Sequence, residues 1–201
     1  ALQMTDLPAG DWLYELKFDG YRALALKAGK EVRLISRNRT NFDNDYPLLI
    51  DALKSLTAKQ ARIDGEIAAL DDQGRASFQL LQSYGKAKKT PLVYYAFDLL
   101  FLDGADLRAR PLAERRKLLA RLLRKAPDHI RFSEELRGTK EELLQLARKF
   151  QLEGLIAKRP DSPYEAGRRS GPWVKVKLTS HRTCSQEVAA GARGLPARVH
   201  R

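Results

Sequence analysis

The chain predicts an α+β fold, antiparallel sheets flanked by helices, on three observations. Leu92 to Leu102 is almost continuously apolar and aromatic, the pattern of a strand buried on both faces. Pro111 to about Lys125 and Thr139 to Phe150 carry apolar residues at helical spacing. Strand-like and helix-like segments follow one another irregularly, with no internal repeat and no glycine-rich phosphate loop, which argues against a regular βαβ architecture and against Rossmann or Walker sites.

In chain order, Trp12 to Lys17, Arg22 to Lys27 and Glu31 to Ile35 read as short strands, with bends at Asp19-Gly20 and Gly29 making an antiparallel meander. Tyr46 to Leu56 reads as a helix with Leu48, Leu49, Ala52 and Leu53 on one side. Arg62 to Leu70 returns as a strand that the turn Asp71-Asp72-Gln73-Gly74 ends, and Asp103-Gly104 closes the strand begun at Leu92. Pro111 suits the first turn of a helix that points Leu112, Leu119, Leu122 and Leu123 inward. Thr139 and Glu142 form a capping box ahead of Leu143, Leu146, Ala147 and Phe150. Gly154 to Lys158 and Trp173 to Leu178 resume strand character on either side of a polar loop. Residues 1–179 are expected to form one domain and 180–201, which lack sustained periodicity, an irregular tail.

The composition bounds the function. A chain of 201 residues with 43% hydrophobic content and no long apolar run is expected to be a soluble globular protein without a membrane span. Ala1 to Ala9 lack the basic start and apolar stretch of a secretory signal, so a cytoplasmic location is the default expectation. With Cys184 the single cysteine and only three histidines, neither an intramolecular disulfide nor a Cys/His zinc site is expected. The net charge of +12 suits a polyanionic partner. The runs Arg115-Arg116-Lys117 and Arg121 to Lys125 also read as the solvated face of an amphipathic helix.

The most informative stretch is Glu15-Leu16-Lys17-Phe18-Asp19-Gly20-Tyr21-Arg22. A lysine with a pKa near ~10.4 is a poor nucleophile unless its surroundings favour the neutral amine, so Lys17 needs helpers. By itself Lys-x-Asp-Gly is a plain hairpin turn with a solvated lysine. Its company changes that: Ser36-Arg37-Asn38, Asp64-Gly65-Glu66, Ala96-Phe97-Asp98-Leu99-Leu100, Glu153-Gly154-Leu155-Ile156-Ala157-Lys158 and Trp173-Val174-Lys175-Val176-Lys177 follow in order. Lys175 and Lys177 alternate on a strand and so face one side together, although an edge strand carrying protective lysines has the same pattern. Arg22 and Arg37 are natural phosphate or ribose contacts, because a guanidinium donates two parallel hydrogen bonds. Glu66 and Glu153 each adjoin a glycine at a strand end, which suits a hard cation or a ribose hydroxyl and equally a solvated turn acid. Phe97 and Ile156 have core readings beside any functional one.

This ordered set, from about Asp11 to Lys177, resembles the covalent nucleotidyltransferases: ATP-dependent DNA ligases, RNA ligases and mRNA capping enzymes. It is most similar to the ligase domain of bacterial end-joining DNA ligases. The resemblance implies a central nucleotide cleft between antiparallel sheets, followed in the family by an OB-fold domain, of which 180–201 would be only a remnant of the approach. It implies ATP and magnesium, with manganese as a substitute, and a lysyl-AMP intermediate on Lys17. It places Lys175 and Lys177 on the α-phosphate, with Lys158 a further phosphate contact. Phe97 is expected to stack on the adenine, Ile156 to cover its other face, and backbone groups near Glu15 and Leu16 to select the base. Glu153 is implied as a metal-facing carboxylate, and Glu66 as a ribose neighbour that helps bind metal. Asp19 is read as orienting its loop or a water rather than as a general base. Nicked or broken double-stranded DNA is the expected partner, possible company being other repair proteins, and a monomer in the bacterial cytoplasm or nucleoid is the expected state. An RNA-joining or capping enzyme, or an idle DNA-binding fragment, is the alternative.

Overall fold

The chain crosses from one β-sheet to another immediately after Leu16, and that crossing organises the molecule. The computed structural model describes residues 2–4, 6–85, 90–149, 153–167 and 171–177. These form β1 (Leu2–Met4), β2 (Leu13–Leu16), β3 (Tyr21–Ala28), β4 (Glu31–Ser36), α1 (Pro47–Lys54), β5 (Gln60–Ala69), α2 (Phe78–Gln82), β6 (Leu92–Leu102), β7 (Ala105–Asp106), α3 (Leu112–Leu123), β8 (Ile130–Phe132), α4 (Lys140–Lys149), β9 (Gly154–Lys158) and β10 (Trp173–Lys177). The tail 180–201 and the side chain of Lys177 lie outside the described residues.

The first sheet has the order β1-β10-β9-β2, and the second β4-β3-β5-β6-β7, with β8 also on β6. Pairing is antiparallel except at β1 with β10 and β8 with β6, two strands of three residues whose brevity hides them in the sequence. The opening meander is therefore corrected: β3 and β4 form a hairpin, but β2 pairs with β9 in the other sheet. Asp19-Gly20 is the crossing, not a hairpin bend. A Cβ on Gly20 would stand 2.1 Å from the Ile67 carbonyl oxygen, so glycine is required there by close approach to β5. The Asp19 carboxylate accepts a hydrogen bond from the Phe78 amide at 3.2 Å, pinning the crossing loop to the start of α2.

Each sheet has its own core. The larger gathers Leu34, Leu49, Ile63, Ile67 and Leu99 between the second sheet and helices α1 and α3. The smaller gathers Leu7, Leu143, Ala147, Leu155, Ala157, Val174 and Val176, so α4 packs on the back of the first sheet. The capping box that starts α4 is formed, with Thr139 Oγ1 accepting from the Glu142 amide at 3.3 Å and the Glu142 carboxylate from the Thr139 amide at 2.7 Å.

Two inward assignments change. On α1 Leu48 is 50% exposed and Ile50 is buried, because the apolar stripe centred on Leu49 and Leu53 widens toward Ile50 instead. On α3 the buried residues are Leu112, Arg115, Arg116, Leu119 and Leu123, so the expected solvated face includes two core positions. Arg115 is 0% and Arg116 5% exposed. Their spacing from Leu112 and Leu119 is that of an inward stripe, and the ion pairs described below make the burial of charge tolerable.

Candidate active site

Strands β2, β9 and β10 present a grid of side chains on one face. Leu13 lies opposite Lys158, which lies opposite Trp173; in the next row Glu15, Ile156 and Lys175 align. A third row follows, where the Lys17 amide donates to the Gly154 carbonyl at 3.0 Å and Lys177 pairs with Gly154. Residues opposite one another in an antiparallel sheet share a face, as do alternate residues along a strand. The other face carries Leu16, Leu155, Ala157, Val174 and Val176 into the smaller core. β10 runs between β1 and β9, so its lysines are not those of an edge strand.

The second sheet supplies the opposing wall. Arg22 on β3 lies opposite Glu66 on β5 and reaches along the strand to Asp64, donating through Nε at 3.0 Å and Nη2 at 2.6 Å. Tyr164 donates to the same carboxylate at 2.8 Å, so the guanidinium is held in a two-point clamp whose acceptor is itself fixed. Phe97 owes its direction to a bulge. On β6 Ala96 pairs with Gly65 and Asp98 with Asp64, which leaves Phe97 as the extra residue. Such a residue is re-aimed out of the regular alternation, here into the space between the sheets.

That space is a cavity of about 490 Å³. Every predicted site residue whose side chain is described lines it except Glu153: Lys17, Glu15, Leu16, Arg22, Arg37 and Glu66 do so, as do Phe97, Ile156, Lys158 and Lys175. Glu153 is ion-paired with Lys17 and lines an adjoining cavity of about 300 Å³ together with Phe18, Asp19 and Tyr95. Lys17 lines both cavities.

The electrostatics differ along the cavity. Burial pushes the Glu66 carboxyl up to about 7, although Lys17, Arg22 and Lys175 pull the other way. Lys175 is lowered, first by burial and then by the Lys17 ammonium, while Glu66 opposes the shift. At the other end Lys158 is lowered by burial and by Arg116, with Glu15 opposing. The Lys158 ammonium stands 4.4 Å from the centroid of Phe97 and 4.3 Å from that of Trp173, within cation–π range of both rings. Lys158 therefore sits at the aromatic end of the cavity, two grid rows from Lys17.

Several residues at the site were not singled out from the sequence. Asp64 stands in the same Asp-Gly-Glu triplet as Glu66, and Trp173 alternates with Lys175, so both had a local signal. Tyr164, Ser133 and the β1 residues Leu2 and Gln3 had none, and Arg116 had only its helical spacing. Glu15 is placed differently from the expectation of a backbone role alone: it is 2% exposed, and its carboxylate accepts from Arg116, Lys158 and Ser133.

A lysine at the crossing between two sheets thus faces a cavity lined by further cations, in a domain of two sheets with separate cores. The chain belongs to the ATP dependent DNA ligase domain family, which matches residues 2–177. It is 41% identical over 172 residues to the multifunctional non-homologous end joining protein LigD of Pseudomonas aeruginosa, covering 85% of this chain and 20% of that protein. Against LigD of Mycobacterium tuberculosis the identity is 38% over 188 residues, 94% of this chain and 24% of that protein. The chain thus spans only a fifth to a quarter of these curated relatives. Among solved structures, the ligase domain of M. tuberculosis LigD superposes with a TM-score of 0.77 at 38% identity, covering 88% of this chain and 59% of that one. A mycobacterial DNA ligase D complexed with ATP and MES gives 0.72 at 37% identity, over 83% of this chain and 54% of that one. The two-sheet fold is therefore that of the family. No helix among the described residues is long and apolar enough to cross a membrane.

Proposed function

We propose that this chain is the catalytic domain of an ATP-dependent DNA ligase of the end-joining type, in which Lys17 becomes covalently adenylated. The observation that carries the reading is the convergence of Lys17, Lys175, Arg22, Arg37 and Glu66 on one cavity from two sheets. In the reaction the Lys17 amine, having lost a proton, forms a bond to the α-phosphorus of ATP while the bond to the pyrophosphate oxygen breaks. AMP then passes from Lys17 to a DNA 5′-phosphate, and attack by a 3′-hydroxyl releases it as the strand is joined.

Each step asks something specific of these side chains. Charge accumulates on the phosphate oxygens during attack, and preorganised cations at those oxygens lower the barrier. Lys175 and Arg22 stand ready for this, with Arg22 held in advance by Asp64 and Tyr164. Phe97, Trp173 and Ile156 form the apolar end suited to the base. Lys177 is proposed beside Lys175 on the phosphate, from its strand position alone.

Glu66 and Glu153 fit a magnesium ion. That ion takes one or two carboxylates and fills its remaining positions with water and substrate phosphates, so no protein-only cage is needed. Accordingly, no group of three or more His, Cys, Asp or Glu gathers among the described residues. Both carboxylates adjoin Lys17, one through an ion pair and one through its charge, and the buried Glu66 would be stabilised in ionised form by a cation. Magnesium, when bound, supplies neutralisation of triphosphate charge.

Nicked or broken double-stranded DNA is the proposed substrate, supported by the family and by the net charge of +12. The test is incubation with radiolabelled ATP and magnesium followed by denaturing electrophoresis, with GTP in a parallel arm. Label retained on the folded chain from ATP is expected; label from GTP in its place would move the reading to a capping-type enzyme.

A further inference from the structure

We propose that Arg116 is a positioning residue for the nucleotide base, acting through Glu15 and Lys158 to set the aromatic end of the cavity. The inference rests on the nucleotide reading above and adds a residue outside the motif series. Arg116 comes from α3, a helix of the second sheet's core, and reaches β2 of the first sheet.

Its guanidinium is spent on that junction. Nη1 donates to Glu15 Oε1 at 2.6 Å and to the Phe97 carbonyl at 3.4 Å, and Nη2 donates to the Ser133 carbonyl at 2.8 Å. The guanidinium carbon lies 4.5 Å from the ring centroid of Phe132 on β8. Glu15 Oε1 also accepts from Lys158 at 2.7 Å, and Oε2 from the Ser133 hydroxyl at 2.6 Å. One carboxylate thus has three donors from α3, β9 and the segment after β8. Leaving a buried charge in this network without its partner is costly, so the geometry has one low-energy arrangement.

What the network holds in place is the Lys158 ammonium. One of its three protons goes to Glu15, and the group is presented between the rings of Phe97 and Trp173, which line the cavity. A flat heteroaromatic ring with an acceptor nitrogen is the ligand chemistry that such a site takes: stacking area from the aromatic groups and a donor from a cation of fixed position. Lys158 and Lys17 are four residues apart across the register, roughly 13 Å along the strands, with Arg22 between the two regions, its guanidinium carbon 5.5 Å from the Phe97 centroid and 5.7 Å from that of Trp173. Arg116 does not itself line the cavity and acts from behind it, chiefly by fixing Glu15 and also through its contact with the Phe97 carbonyl.

The experiment uses Arg116→Met, Arg116→Lys and Ser133→Ala in the whole chain, each checked for folding by thermal denaturation. Adenosine and inorganic tripolyphosphate are titrated separately by calorimetry, and self-adenylation is followed in single turnover across ATP concentrations. Arg116→Met is expected to weaken adenosine binding and raise the half-saturating ATP concentration by roughly tenfold, with tripolyphosphate affinity unchanged and the saturating rate within about threefold. Arg116→Lys should recover part of the loss, and Ser133→Ala should lose several-fold. Unchanged adenosine affinity in folded Arg116→Met would overturn the proposal, as would a fall in saturating rate with affinity intact. If Arg116→Met does not fold, Ser133→Ala decides by the same adenosine titration. Wild-type protein that binds adenosine yet never self-labels sinks the adenylation reading alone, whereas wild-type protein that fails to bind adenosine sinks this inference.

Discussion

Glu15 and Glu66 face the same cavity from opposite sheets and meet opposite fates. The Glu15 carboxylate is closed off by Arg116, Lys158 and Ser133. Glu66 has three cations near it but, among the described residues, no hydrogen-bond donor, and burial raises it to about 7. The difference teaches how the site divides its work. The Glu15 end is closed by its own hydrogen bonds, whereas the Glu66 end keeps a carboxylate among cations without a donor, the arrangement that the proposed reading gives to a charged substrate.

The largest effect that bears on this contrast is at the Glu66 end. Lys17→Ala should abolish transfer of label from ATP to the protein, and label surviving in the folded variant would assign the nucleophile elsewhere. Lys175→Ala should slow single-turnover adenylation by about 10²-fold, since it removes a cation preorganised at the phosphate. An unchanged rate would reduce that lysine to a strand-surface role.

Glu66→Gln sharpens the comparison through pH. In the folded wild type the carboxyl is protonated below about 7 and ionised above it, whereas an unfolded glutamate ionises near 4.5. Between those values the native state binds more protons than the unfolded state, so stability falls as pH rises through the window. The Gln variant lacks that loss and should be the more stable protein at pH 8, by up to roughly 3 kcal/mol, with the gap closing below pH 4.5. Thermal denaturation at the two pH values checks this, and a gap that widened on acidification would refute the environment assigned to Glu66.

The smallest effect is expected from Tyr164→Phe, which removes one hydrogen bond from the Asp64 carboxylate while leaving the Arg22 pair itself. The adenylation rate should drop a few-fold, in keeping with about 1 kcal/mol for such a bond. A loss as large as that of Lys175→Ala would mean that Tyr164 meets the substrate.

How much of this was legible can be judged residue by residue. The strand Leu92–Leu102 and the capping box at Thr139 were readable because their signals are local: an unbroken apolar run and two side chains three residues apart. Arg115 and Arg116 misled because residue type was weighed above spacing, and only the acids they meet, Asp98 and Glu15, explain their burial. β2 was mistaken for the first arm of a meander because Asp-Gly ordinarily turns a hairpin, and the carbonyl of Ile67 that presses on Gly20 lies far along the chain.

By itself the sequence determined the alternation that puts Glu15 beside Lys17 and Trp173 beside Lys175, the existence of helices α1, α3 and α4, and the ordered motifs that place the chain in its family. The period of a strand or a helix is a property of neighbouring residues, so the text carries it. Only the tertiary structure decided that Glu15, Ile156 and Lys175 share a row, that a bulge turns Phe97 into the cavity, and that a helix of one sheet clamps a strand of the other. Those depend on register and packing between segments up to 160 residues apart, as Glu15 and Lys175 are, where one residue of slip would reverse every face.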